Sequence, residues 1–258
     1  MTPLLAVEGL SRRFGGLRAV DGVSFDVTAG ELVALIGPNG AGKTTVFNLI
    51  TGFLAPDAGC VRLDGTDITG WAPHRVAAAG LVRTFQLVRL FPAMTVLENV
   101  CVGFHVHTRG GLWSALLRPP GTRGQTQRVI DAAGELLDRV GLRERARDGA
   151  GTLPFGQQRL LEIARAVAAR PRVLLLDEPA AGLNPAETHA LGRLLRRLRD
   201  DGLTVLFVEH DMDLVMTIAD RVVVLDFGGK IAEGEPAAVQ RHPAVLEAYL
   251  GVEAAPSR

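Results

Sequence analysis

The 258-residue chain is predicted to adopt an α/β fold, and three observations carry that prediction. Apolar runs of strand length, Leu32–Ile36, Val173–Leu176, Leu203–Val208 and Val222–Leu225, recur along the sequence and read as buried strands of a parallel sheet. Stretches of helical periodicity lie among them, first Leu160, Ile163, Ala164 and Val167, then Leu191, Leu194, Leu195 and Leu198. The third observation is Gly37–Thr45, reading GPNGAGKTT directly after Leu32–Ile36. A strand that enters a glycine-rich turn and then a helix is one βα unit.

From Leu4 to Val27, segments such as Val20–Val27 alternate apolar and polar residues between glycine-containing turns, which predicts antiparallel strands. A helix follows the glycine-rich turn, from Lys43 to about Phe53. Val61-Arg62-Leu63 before Asp64-Gly65 reads as a short strand entering a turn. Between Phe91 and Leu153 the periodicity is helical, with Leu136, Leu137 and Val140 on one face and Pro119-Pro120-Gly121 as an interruption. This assigns a helical subdomain to about 91–158 and a core to about 1–90 and 159–258, within one domain spanning 1–258. Arg193, Arg196, Arg197 and Arg199 read as the solvated face of the leucine-striped helix.

Composition narrows the partners. Lys+Arg and Asp+Glu balance at 28 each, so there is no basic excess of the kind that grips nucleic acid. A 47% hydrophobic content supports a sizeable core. Cys60 and Cys101 stand apart, suggesting neither a disulfide framework nor a zinc site; both read as small buried residues in a reducing compartment. No uncharged apolar run is long enough to span a bilayer, and the N-terminus lacks a signal region, so a cytoplasmic location is expected. His74, His105, His107, His189 and His242 have no motif around them and read as surface residues.

The chemistry starts at the glycine-rich turn, a candidate phosphate cradle. Gly37, Gly40 and Gly42 leave room for backbone N–H groups to converge on phosphate oxygens, Lys43 adds a positive charge, and the Thr44 hydroxyl can reach Mg²⁺. Pro38, Asn39, Ala41 and Thr45 complete the candidate nucleotide-binding segment. The helix behind the turn aims its positive end at the same anion. Val173–Leu176 ends in Asp177 and Glu178, the form of a buried parallel strand delivering acids at its carboxyl end. Its expected neighbour is the strand of the phosphate loop. Asp177 would then orient Mg²⁺ through water, and Glu178 would polarise the water that attacks the γ-phosphate.

Leu153-Pro154-Phe155-Gly156-Gln157-Gln158 opens a helix ahead of Asp177. GPNGAGKTT, this GQQ-type signature and LLLDEP stand in the order and spacing of ATP-binding cassette (ABC) ATPases, which the chain resembles over essentially its whole length. The resemblance implies an ABC-type P-loop ATPase core with a small antiparallel β subdomain and a helical subdomain. It also implies a dimer, in which the signature loop of one ATPase, at Gly156 and Gln157, caps the ATP held by the other's phosphate loop. Pro154 and Phe155 depart from the LSGGQ form, and the missing hydroxyl forfeits a hydrogen bond to a charged group, about 1.5–3 kcal/mol. By the same resemblance Gln86 is the glutamine that senses Mg²⁺ and γ-phosphate, and His210 is the histidine that contacts γ-phosphate. Phe14 is the aromatic that stacks on adenine, with core packing as its alternative. Ala181-Gly182-Leu183-Asn184-Pro185 resembles the D-loop, with Asn184 where aspartate is common.

Several stretches are similar to the importer ATPases for branched-chain amino acids: Leu10–Val20, Arg83-Thr84-Phe85-Gln86 with Val88–Phe91, Glu178–Pro185 and Ala248-Tyr249-Leu250-Gly251. The insert 111–118 shares the likeness, and its Trp113, Leu116 and Leu117 offer either a docking face or an internally packed helix. The implied partners are two transmembrane permease subunits, a second related ATPase or another copy of this chain, and, indirectly, an extracytoplasmic substrate-binding protein. The implied place is the cytoplasmic face of the cell membrane, with ATP and Mg²⁺ as cofactors. ATPases of urea, short-amide and lipopolysaccharide systems share these features, so cargo stays open at this point. A soluble cassette ATPase of repair or translation, and a P-loop kinase or GTPase, are the other readings.

Overall fold

A computed structural model describes residues 3–104 and 122–253. Trp113, Leu116, Leu117, the Pro119-Pro120-Gly121 interruption, His105 and His107 lie outside the described residues. In chain order the first part runs β1 (Leu5–Phe14), β2 (Leu17–Val27), β3 (Leu32–Ile36), α1 (Lys43–Ile50), β4 (Ala58–Leu63), β5 (Thr66–Asp67), α2 (Pro73–Ala78) and β6 (Leu81–Arg83). Two further helices are α3 (Val96–Gly103) and α4 (Thr122–Arg139). The remainder is α5 (Phe155–Ala168), β7 (Val173–Asp177), α6 (Pro185–Asp200), β8 (Thr204–Val208), α7 (Met212–Ile218), β9 (Arg221–Asp226), β10 (Gly229–Gly234), α8 (Pro236–Val239) and α9 (Pro243–Glu253).

The strands make two sheets. One is antiparallel, in the order β2-β1-β4-β5, and the other runs β10-β9-β3-β8-β7-β6, parallel except for β10 against β9. Every residue of β3, β7 and β8 is buried, as expected for parallel strands covered on both faces. The expectation that β7 would lie beside the phosphate-loop strand is corrected here. β8 pairs with β3 on one edge and β7 on the other, because a fully buried strand needs ladder partners on both sides. The consequence is functional, since the carboxyl end of β8 leads to His210.

Side-chain alternation along β3 separates two cores. Val33 and Leu35 join the cluster between the sheets, with Leu5, Phe25 and Phe47. Leu32, Ala34 and Ile36 face the other way and pack with Leu194, Leu195 and Ile218. A third cluster gathers Val96, Val100, Leu137 and Leu142 with Leu161, Ala164 and Ala168 of α5. Burial of each such large side chain is worth about 1.5–3 kcal/mol. Because Ile163 and Ala166 of α5 belong to the second cluster, this helix is shared between the parallel sheet and the helical region.

Local stops account for element ends. The helix expected to reach Phe53 ends at Ile50, where Thr51 is the C-cap and Gly52 turns left-handed at φ 76°. The β4–β5 turn holds both Asp64 (φ 48°) and Gly65 (φ 74°) left-handed, the requirement of a tight hairpin turn. Leu191, Leu194, Leu195 and Leu198 are buried on α6 and Arg193 and Arg197 are exposed as expected, whereas Arg196 and Arg199 are half-buried, Arg199 pairing with Asp200 and Asp220. The cysteines differ from expectation, both being only half-buried. Cys60 reaches the Glu8 carboxylate at 3.5 Å on the antiparallel sheet.

Candidate active site

The phosphate loop crosses the carboxyl end of β3 at close quarters. A Cβ on Gly37 would stand 2.1 Å from the Leu225 carbonyl oxygen, and one on Gly42 2.4 Å from that of Ala19. Gly37, Gly40 and Gly42 all have positive φ, at 150°, 83° and 99°, so the path is open to glycine alone. Gly42 is the N-cap of α1, and no side chain caps that end. The first-turn N–H groups are therefore directed at the cradle, where an anion is favoured. Lys43 is 6% exposed and donates to the carbonyls of Gly37 (2.6 Å) and Pro38 (2.9 Å). Burial lowers its pKa below that of an ordinary lysine, while the Glu178 carboxylate acts in the opposite direction.

Glu178 stands at the centre of a hydrogen-bonded row. Its Oε2 accepts from Gln86 Nε2 at 2.7 Å, and its Oε1 lies 3.0 Å from His210 Nε2. Gln86 follows β6, Glu178 follows β7, and His210 follows β8. Three adjacent parallel strands thus deliver the three groups to one edge, the edge where ligands bind in open α/β sheets. Glu178 itself adopts a left-handed backbone, φ 48°, which costs an L-residue about 1–3 kcal/mol and is characteristic of functional sites. Its N–H holds the Val208 carbonyl at 3.0 Å.

Asp177 has a partner that sequence reasoning did not assign. Its Oδ2 is 2.6 Å from Arg83 Nη2, both side chains under 10% exposed, and Arg83 also donates to Asn48 Oδ1 of α1 (2.7 Å) and to Oγ1 of its C-cap Thr51 (3.2 Å). The second unassigned group is Glu209, 3% exposed. It accepts from the N–H groups of Ala180 (2.6 Å) and His210 (3.0 Å), binding the turn after Glu178 to the residue after β8. Burial raises its pKa against those hydrogen bonds. Neither residue stands in a motif of its own, so no local pattern pointed to either.

Phe14 closes the β1–β2 turn. It is 45% exposed, which removes core packing as its role, and the Arg12 guanidinium covers its ring at 5.3 Å. The signature segment opens α5 with Pro154 as an N-cap that makes no side-chain bond. Gly156 is buried against Glu187, where an added Cβ would lie 2.4 Å from Oε1. Gln157 Oε1 is buried without a hydrogen-bond partner. Asn184 is the N-cap of α6 in a reciprocal capping box with Glu187. His74, His189 and His242 are exposed.

These residues fit a nucleotide with its metal ion. The cradle has the shape and charge for phosphates, and the nearby donors at Thr44, Gln86, Asp177 and Glu178 are oxygens, the ligands Mg²⁺ takes. No group of three or more His, Cys, Asp or Glu among the described residues forms a closed metal cage. Mg²⁺ is ordinarily held by one or two carboxylates together with substrate phosphates.

Chemistry drawn from the ends of β3, β6, β7 and β8 around a lysine-bearing glycine loop is that of a P-loop ATPase. Residues 20–181 match the family model described as ABC transporter. Residues 230–255 match that described as Branched-chain amino acid ATP-binding cassette transporter. The chain is 50% identical to the high-affinity branched-chain amino acid transport ATP-binding protein BraF of Pseudomonas aeruginosa, over 96% of this chain and 98% of that protein. It is 48% identical to LivG of Escherichia coli, a protein of the same description, with the same coverage. An ATP-binding cassette of an ABC transporter, solved in its ADP conformation, superposes with a TM-score of 0.83 at 35% identity, over 97% of this chain and 100% of that one. A dimeric cassette in a post-hydrolysis state, bound to ADP and phosphate, gives 0.75 at 26% identity, over 90% and 98%. The chain belongs to the ATP-binding cassette transporter family, as one of its ATPase subunits.

Proposed function

We propose that this chain hydrolyses ATP to power import of branched-chain amino acids through two partner permease subunits. The observation that carries the catalytic part is Glu178, held between Gln86 at 2.7 Å and His210 at 3.0 Å. The cargo is supported by the relatives BraF and LivG and by the match over residues 230–255. Backbone N–H groups of 37–45 and Lys43 hold the phosphates, and Phe14 offers its exposed ring to adenine, a stack worth about 1–3 kcal/mol. Thr44 and Gln86, with Asp177 through water, would hold Mg²⁺, which would neutralise charge developing on the phosphate oxygens. Glu178 takes a proton from the water that attacks the γ-phosphorus. The bond to the β–γ bridging oxygen breaks, and ADP and phosphate leave. His210 steadies the γ-phosphate from the other side of Glu178.

Each site is completed by a second ATPase, related or identical, whose Gly156–Gln157 segment caps the nucleotide. ATP closes the pair and hydrolysis reopens it, and the motion is passed to the permeases. No helix among the described residues is long and apolar enough to cross a membrane. By its likeness to ATP-binding proteins of transport systems, the chain is read as peripheral, bound to the permeases at the cytoplasmic face, while a substrate-binding protein on the far side delivers the amino acid.

Glu178→Gln tests the reading. ATP affinity stays near wild type, whereas turnover in the assembled transporter falls by roughly 10²–10⁴ if Glu178 is the general base. Cells lacking the chain lose high-affinity leucine uptake and regain it from a wild-type copy alone. Uptake restored by the glutamine variant contradicts the assignment.

A further inference from the structure

Segment 85–91 leaves the parallel sheet directly after Thr84, whose N–H still donates to the Leu175 carbonyl at 2.9 Å. From there the helices hold its backbone. Arg159 of α5, 1% exposed, donates to the carbonyls of Phe85 (3.0 Å) and Gln86 (2.7 Å). The same guanidinium pairs with Glu162 at 2.9 Å, and the other Glu162 oxygen accepts the Arg89 N–H at 3.1 Å. Arg165, one turn further along α5, donates to the Arg89 carbonyl. Asn99 of α3, fully buried, accepts the Phe91 N–H at 2.9 Å and donates to its carbonyl at 3.0 Å.

A buried ion pair of this kind is a poor device for stability. Desolvation of two charges commonly exceeds their mutual attraction, and an apolar pair of similar volume serves as well or better. Here the satisfaction is also incomplete, because Arg159 Nε is buried without a partner. What the pair does supply is one geometry for the backbone of Gln86, the residue whose amide reaches Glu178. The helix that supplies it is the one that begins at the signature segment.

We propose that Arg159 and Glu162 are positioning residues for Gln86, tying its bond with Glu178 to the position of the signature helix α5. Displacement of α5 is transmitted through Arg159 to the carbonyls of Phe85 and Gln86, and so to the amide that holds the base. The proposal rests on the reading of Glu178 as the base.

A double-mutant cycle in the assembled transporter tests it, with Arg159→Met and Gln86→Ala read as kcat and KM for ATP. Each single substitution lowers kcat by roughly tenfold with KM little changed, and the double variant is no slower than Gln86→Ala alone, the non-additivity of residues acting through one another. Arg159→Lys, which keeps a donor for one carbonyl, restores part of kcat. Costs that multiply in the double variant, as for a structural role, overturn the proposal. If Arg159→Met does not fold, the apolar replacement Arg159→Met/Glu162→Leu takes its place in the same cycle. Glu178→Gln measured alongside separates the two failures. Wild-type turnover there removes the base reading and the proposal with it, whereas slow turnover there with multiplying costs removes the tether alone.

Discussion

Lys43 carries a charge into the interior, and the effect on binding and on folding has opposite sign. Its pKa is lowered by burial, so it sheds its proton at a lower pH than an ordinary lysine. ATP affinity is expected to fall as pH rises through that lowered value, and titration calorimetry across the alkaline range checks it. Lys43→Ala weakens ATP binding at neutral pH and shows no such alkaline fall; wild-type affinity in a folded variant contradicts the cradle. For stability the folded chain binds fewer protons than the unfolded chain there, so the penalty of burying this charge diminishes as pH rises. At this scale Lys43 and Glu178 stand in motifs whose spacing suggests their chemistry, whereas Gln86 and His210 were pointed to by the family resemblance alone; the structure brings Gln86, Glu178 and His210 together. Arg83 and Glu209 were not legible, because a buried charge is recognisable only once its partner is known. Asp177 and Ala180, the partners, lie 94 and 29 residues away in sequence.

The two departures from the family's motifs have different consequences at the level of elements. Asn184 caps α6 by accepting the Glu187 N–H at 3.0 Å, which an aspartate does equally well. Asn184→Asp is therefore expected to leave thermal stability within the range of an ordinary surface substitution, about ±0.5 kcal/mol; a larger loss in a melting curve contradicts the capping account. Pro154 makes no side-chain cap for α5. A serine there, three residues before Gln157, forms a capping box worth about 1 kcal/mol. The lost proline rigidity of the unfolded chain offsets about 0.4–1 kcal/mol of this, so Pro154→Ser is near neutral in stability. Its effect appears instead in ATP-dependent pairing, which a restored hydrogen bond to a charged group strengthens by about tenfold or more. Unchanged pairing by sedimentation equilibrium removes the hydroxyl from the capping role. Most helices and strands were legible from periodicity, and the end of α1 was missed because Gly52 stops it short of Phe53.

At the level of the whole molecule the one misplaced relation was strand order. Apolar runs identify strands but contain nothing about which edges meet, so β8 between β3 and β7 was read only from the structure. That insertion gives the site its form, since it brings His210 against Glu178. The helix α5, packed into both the second and third clusters, joins the signature segment to the catalytic edge, a connection no local pattern announces. Cargo belongs to this scale as well, because in the proposed function the amino acid meets the binding protein and the permeases while this chain meets ATP. The most direct measurement is ATP turnover in membranes reconstituted with the permeases, the partner ATPase and the binding protein, with and without leucine. Leucine-loaded binding protein is expected to stimulate turnover. Turnover that ignores leucine and responds to a different ligand contradicts the branched-chain assignment, and turnover that responds to no partner contradicts the transport role.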